Sequence, residues 1–196
     1  MMIVIASDSR NRMIQSAALL FREHGYSGTG FRDVIEHSGA PRGSIYHHFP
    51  GGKEQLAAAH STVSAAVIER RLARAVKNGD PIVALANFVD AWREVLEDSN
   101  FRAGCPIVAV AAEADAGTTA TAAAAAAFAR WQDLVAHALL GAGVGRTDAR
   151  RLATLVVASI EGAILLCRAR QDIRPLRDVH RALEATLRTA ISWHGR

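Results

Sequence analysis

Residues 41 to 54, Pro-Arg-Gly-Ser-Ile-Tyr-His-His-Phe-Pro-Gly-Gly-Lys-Glu, concentrate side chains that donate hydrogen bonds. Arg42, Ser44, Tyr46, His47 and His48 can all donate, and Lys53 adds a cation. Such a set suits a phosphate-rich surface, where it can hold backbone oxygens and read base edges. It does not suit a metal, because His47 and His48 are neighbours and adjacent residues on a helix point apart. Elsewhere Glu113, Asp115, His137 and Glu161 supply acid, base and imidazole groups. Nothing in their spacing fixes a mutual distance, so they read as surface or pocket-lining residues and not as catalytic machinery. Cys105 and Cys167 are too few for a disulfide framework in a chain of 196 residues and read as buried thiols in a reducing cytoplasm. No catalytic residue, metal or cofactor is expected, and the chain does not read as an enzyme.

These donors need a scaffold, and the preceding residues describe one. Ser7 or Ser9 can cap a first helix, with Ile14, Ala17, Ala18 and Phe21 on one face and Gly25 at its end. Thr29 can cap a second helix carrying Phe31, Val34 and Ile35, with Asp33 in its first turn. Ser38-Gly39-Ala40-Pro41 forms a tight turn. Pro41 can open a third helix of two turns, which Phe49-Pro50 stops. On that helix Ile45 and Phe49, four apart, must face the first two helices. Arg42, Gly43, Tyr46 and His47 then face outward. Helix, helix, turn, helix is the helix-turn-helix plan. Gly43 lets a backbone approach closely. Thr29 and Lys53, at the starts of the second and fourth helices, suit phosphates.

The rest of the chain also reads as helical. Half the residues are hydrophobic, alanine is abundant and only 6% are aromatic. Gly51-Gly52 leads into a long fourth helix that reaches about Lys77. Asn78-Gly79-Asp80-Pro81 closes it, and Asp80 caps a fifth with Ile82, Leu85, Val89, Trp92 and Leu96 inward. Residues 98 to 106 are irregular, and a short sixth helix ends near Ala114. Thr118 or Thr119 caps a seventh that reaches Leu140 through the alanine run 120 to 129. Thr147 caps an eighth to about Arg168, with Leu152, Leu155, Val156, Ile160 and Ala163 inward. Pro175 starts a ninth with Leu176, Val179, Leu183, Leu187 and Ile191. The formal charge of +4 is compatible with nucleic acid. Up to Lys53 six basic residues face four acidic ones. The apolar start, Met1 to Ala6, is too short for a signal peptide core, and no run is read as a membrane span.

The run Gly39, Pro41, Arg42, Gly43, Ser44, Ile45, Tyr46, His48, Phe49, followed by Lys53-Glu54, resembles the signature of the TetR family of bacterial transcriptional repressors. The upstream LFREHGYSGTGFRDVIEHSG is similar to that family's first two helices, so the resemblance covers roughly residues 10 to 56. Pro50-Gly51-Gly52 and the later GCPIVAVAAEA further resemble the LmrA/YxaF-like subgroup, whose regulators are linked to drug and flavonoid response.

The resemblance implies an all-α protein of about nine helices. Residues 1–52 would form the helix-turn-helix DNA-binding domain and 53–196 a helical effector-binding and dimerisation domain. It implies a repressor on a palindromic double-stranded DNA operator, contacted by Thr29, Pro41, Arg42, Gly43, Ser44, Tyr46, His47 and Lys53. It also implies an effector pocket among helices four to eight. Phe88, Trp92, Phe101, Cys105, Val108, Phe128, Trp131 and Glu161 are the candidates to line it, for a small hydrophobic or aromatic ligand. Helices eight and nine carry apolar residues on more than one side, with Ser159, Gly162 and Ala163 permitting close approach. They are expected to build a homodimer as a four-helix bundle. The chain is expected to be cytoplasmic, without a membrane partner. The competing readings are a helical interaction module, or an enzyme, whose N-terminal motif does not bind DNA.

Overall fold

A computed structural model describes residues 3–76 and 80–194. Among them all regular structure is helical. Helix α1 spans Ile3–His24, α2 Phe31–Ser38, α3 Ser44–His48 and α4 Gly52–Val76. They are followed by α5 Pro81–Asp98, α6 Pro106–Glu113, α7 Thr119–Gly141, α8 Arg146–Arg170 and α9 Arg174–His194. The chain divides into two compact units, Met1–Ala66 with Cys105–Ala127, and Val67–Gly104 with Phe128–Arg196. The first unit therefore holds α6 and the start of α7 beside the first three helices, which is a different division from a cut at residue 52.

In the first unit, α1 packs against α2, α3 and α6. Its stripe of Met13, Ile14, Ala17 and Phe21 is buried, as the spacing requires. Gly25 ends α1 at φ +80, where a side chain would be strained. Buried Val34 holds α2, and Gly39 closes it in the left-handed region at φ +62. In α7, Ala120, Ala124 and Ala127 form a buried stripe of small side chains.

In the second unit α5, α8 and α9 pack on one another. Ile82, Leu85, Val89, Trp92 and Leu96 of α5 are all buried. Asp80 caps that helix by accepting from the Ile82 N–H at 2.8 Å, as its position predicts. Thr118 Oγ1 accepts from Thr121 N–H at 3.3 Å and so caps α7. Lys77, Asn78 and Gly79 lie outside the described residues.

Several expected boundaries are corrected. Ser7 and Ser9 lie inside α1, which already runs from Ile3, because no glycine or proline interrupts the residues before them. Gly30, not Thr29, is the N-cap of α2; Asp33 Oδ2 accepts the Gly30 N–H at 2.7 Å. Helix α3 begins at Ser44, since Pro41 opens a turn in which Ser44 N–H donates to the Pro41 carbonyl at 2.9 Å. Gly145, not Thr147, precedes α8 as N-cap. Leu155, expected inward, is 45% exposed because α8 carries apolar residues on more faces than its own unit covers. Helix α8 also contains an apolar stretch long enough to cross a membrane, where none was expected. Its Val156, Ile160, Ala163 and Ile164 are buried in packing of the kind a core helix makes.

Candidate nucleic-acid interface

Helix α3 has five residues and could not hold its shape alone. It is anchored from behind. Ile45 and Phe49 are fully buried, and the Phe49 N–H donates to the Ile45 carbonyl at 2.8 Å. The Arg10 guanidinium lies 5.4 Å from the centre of the Phe49 ring. With Ile45 and Phe49 turned inward, Tyr46 is 66% exposed, and Pro41, Arg42, Gly43 and His47 are exposed with it. The structure therefore brings the donors from 41 to 47 onto one outward surface.

The details differ residue by residue. The Tyr46 ring meets the edge of the half-buried Phe31 ring at 5.6 Å, which fixes its direction while leaving the hydroxyl outside. Gly43 has φ −77, and a Cβ there would meet nothing within 4 Å. Nothing inside the protein requires a glycine at that position. The Ser44 hydroxyl donates to the Pro41 carbonyl at 2.6 Å, leaving its oxygen as an acceptor. The His47 and His48 rings lie 5.3 Å apart. Burial, then His47 and Arg10, pushes the His48 imidazole below its ordinary value and favours its neutral form.

Two expected contacts are engaged within the fold. Thr29 is buried, and its hydroxyl donates to the Gly25 carbonyl at 2.9 Å. It closes the turn between α1 and α2 rather than facing outward. The Lys53 ammonium donates to the Ser27 carbonyl at 3.3 Å and lies 4.4 Å over the Tyr26 ring. Desolvation lowers its pKa, against the pull of Glu113 and Asp33.

Sequence reasoning missed several supporting residues. Arg12 donates through Nε to the Ser38 carbonyl at 3.2 Å and so ties α1 to the end of α2. Glu54 accepts from both the N–H and the hydroxyl of Thr119, at 2.8 and 2.6 Å, joining the start of α4 to the start of α7. These two bonds hold its carboxyl below the usual range. Glu113 accepts the Ser27 N–H at 2.7 Å. Such partners, tens of residues apart, leave no local pattern to read.

The candidate pocket residues divide between the units. Cys105 and Val108 belong to the first; Phe88, Trp92, Phe101, Phe128, Trp131 and Glu161 belong to the second. Within the second, Phe88 meets Trp92 edge-on at 6.5 Å and Phe128 meets Trp131 edge-on at 5.3 Å. Phe101 is half-buried at φ +58 in the link after α5. Of these candidates Phe88 alone lines an apolar crevice of about 30 Å³ among α5, α7, α8 and α9. That is room for roughly one water, far below the several hundred Å³ of a typical ligand site. Trp131 is buried, and its indole N–H has no acceptor among the described residues.

Residues 13–60 match the model of bacterial regulatory proteins of the tetR family, and residues 81–182 match the LmrA/YxaF-like transcriptional regulator C-terminal domain. An uncharacterised HTH-type transcriptional regulator of Mycobacterium tuberculosis is 42% identical over 184 residues, covering 91% of this chain and 93% of its own. The HTH-type transcriptional regulator LmrA of Bacillus subtilis is 32% identical over 171 residues, covering 86% and 91%. A crystal structure of a TetR regulatory protein from Rhodobacter sphaeroides superposes with a TM-score of 0.82 at 25% identity, over 90% of this chain and 97% of that one. These relatives are regulators and not enzymes. With an outward donor surface on a buried anchor, and matches at both ends, the chain belongs to the TetR family as a DNA-binding transcriptional regulator with an LmrA/YxaF-like C-terminal domain.

Proposed function

We propose that the protein is a cytoplasmic repressor that occupies a palindromic operator as a homodimer and leaves it when a small hydrophobic or aromatic ligand binds. The observation that carries this reading is the outward face of α3 and the turn before it, with Arg42, Tyr46 and His47 exposed over a fully buried Ile45 and Phe49. Residues 1–52 would supply DNA contact and 53–196 ligand binding and dimerisation, even though α6 and part of α7 pack with the first helices. Arg42 and His47 would reach base edges or phosphates, Tyr46 a phosphate, and the remaining donors of Lys53 a second phosphate. The buried Trp131 N–H supports a ligand that brings an acceptor oxygen into the second unit, seated against the Phe128–Trp131 pair. Such a ligand would have to enlarge the packing there, and it releases DNA only if it prefers a dimer whose α3 spacing no longer fits the operator.

The test is a gel-shift experiment on a duplex that the protein itself selects from a random pool. Arg42→Ala is expected to weaken that duplex by about 1–3 kcal/mol and leave scrambled DNA nearly unaffected, whereas Tyr46→Phe, at a phosphate, is expected to weaken both duplexes alike. Lys53→Ala is expected to weaken both, with the salt slope reduced by about one. Flavonoid-like and antibiotic-like compounds are then titrated into the complex while tryptophan fluorescence is followed. Release accompanied by a fluorescence change is expected. Equal binding by all variants would favour the interaction-module reading, and silence across the compound panel would remove the ligand.

Dimerisation through α8 and α9 is supported by exposed Leu155, Leu165 and Leu166 on one helix and Trp193 on the other. A Cβ added at Gly162, between those leucines, meets nothing within 4 Å in the single chain. Gly162→Leu should therefore spare the fold of one chain and block the approach of a second. Light scattering is expected to show monomers, with dimer affinity weakened by about 100-fold.

A further inference from the structure

We propose that Glu113 is a positioning residue for DNA recognition, acting through the backbone of Ser27 on the turn that sets α2 and α3. The inference rests on the reading that the outward face of α3 meets DNA. Glu113 is the last residue of α6 and is exposed, so it contributes little to the core. Its Oε2 accepts the Ser27 N–H at 2.7 Å. Its other oxygen lies over Gly25, where a Cβ would come within 2.7 Å of it. The carboxylate thus roofs the turn, and Gly25, at φ +80, leaves it the room. The Lys53 ammonium donates to the Ser27 carbonyl. Both polar groups of one peptide residue are therefore held by opposite charges from two different helices, α6 and α4.

The turn leads directly to the reading surface. Thr29 fastens back to Gly25, Gly30 caps α2, and Phe31, the first residue of α2, supports the Tyr46 ring. A carboxylate that fixes Ser27 thereby fixes the platform under Tyr46. Simple electrostatics makes the opposite demand, because a negative charge near a DNA-binding surface repels phosphate. The two effects separate cleanly.

The experiment compares full-length wild type, Glu113→Gln and Glu113→Ala on the duplex selected by wild type and on a scrambled duplex of equal length. Gln removes the charge and keeps an acceptor for Ser27; Ala removes both. Positioning predicts that Ala binds the selected duplex about 10-fold more weakly than wild type, with scrambled DNA unaffected or slightly tighter. Gln should bind the selected duplex at least as tightly as wild type. Amide exchange at Ser27, measured without DNA, should be about 10-fold faster in Ala than in Gln. Equal tightening by both variants, or equal Ser27 protection in both, overturns the assignment to Glu113. Failure of wild type to select any duplex overturns the DNA reading itself, and that outcome is visible before either variant is compared.

Discussion

Phe49→Ala should abolish selected-duplex binding and destabilise the first unit by about 3–5 kcal/mol, the usual cost of deleting a buried aromatic ring. Domains of ordinary stability hold only about 5–15 kcal/mol in total, so a large share of the margin would disappear. The ring is fully buried, caps the end of α3 and lies under the Arg10 guanidinium, so its loss leaves a cavity where α3 meets α1. Urea unfolding followed by far-UV circular dichroism measures the first effect, and a gel shift the second. Tyr46→Ala, three residues earlier and 66% exposed, should change stability by less than about 1 kcal/mol while still harming binding. If Phe49→Ala unfolded at the wild-type midpoint, the anchoring of α3 described above would be wrong.

Acidification from pH 6.5 to pH 4 should destabilise the same unit through His60. This imidazole on α4 is fully buried against the Phe21 ring at 5.3 Å, with Nδ1 3.0 Å from the Ser64 hydroxyl. Burial pushes its pKa down to about 4; the Pro106 carbonyl opposes that and Arg22 adds to it. Between pH 6.5 and 4 the unfolded chain binds a proton that the folded chain refuses, so stability falls as pH falls through this window. The full loss is on the order of 3 kcal/mol at 1.36 kcal/mol per pKa unit. Melting temperatures of wild type and His60→Leu across this range should diverge, with wild type falling faster. Parallel curves would remove His60 as the cause. Glu54 and Asp172, both with lowered pKa, lose their contributions in wild type and variant alike, so the difference isolates the histidine.

What could be read from the sequence was whatever repeats at short range. The stripes Ile14–Ala17–Phe21 and Ile82–Leu85–Val89–Trp92–Leu96 have helical period, and both are buried. Ile45 and Phe49 had to turn inward together, which sent Arg42, Tyr46 and His47 outward. Local competition misled at Thr29, whose hydroxyl bonds back to Gly25 instead of capping α2. Leu155 misled for another reason, since an apolar residue reads the same whether its own chain or a second one covers it. Long-range polar pairs were out of reach: Glu113 with Ser27 and Glu54 with Thr119 are 86 and 65 positions apart.

The brevity of α3 has a further consequence. A segment of five residues has no helical tendency to fall back on once its docking is lost, so it cannot remain half competent on a loosened scaffold. Binding of the selected duplex should therefore vanish with warming along the same sigmoid as the melting of the first unit, giving an abrupt thermal cut-off in place of a gradual fading of affinity.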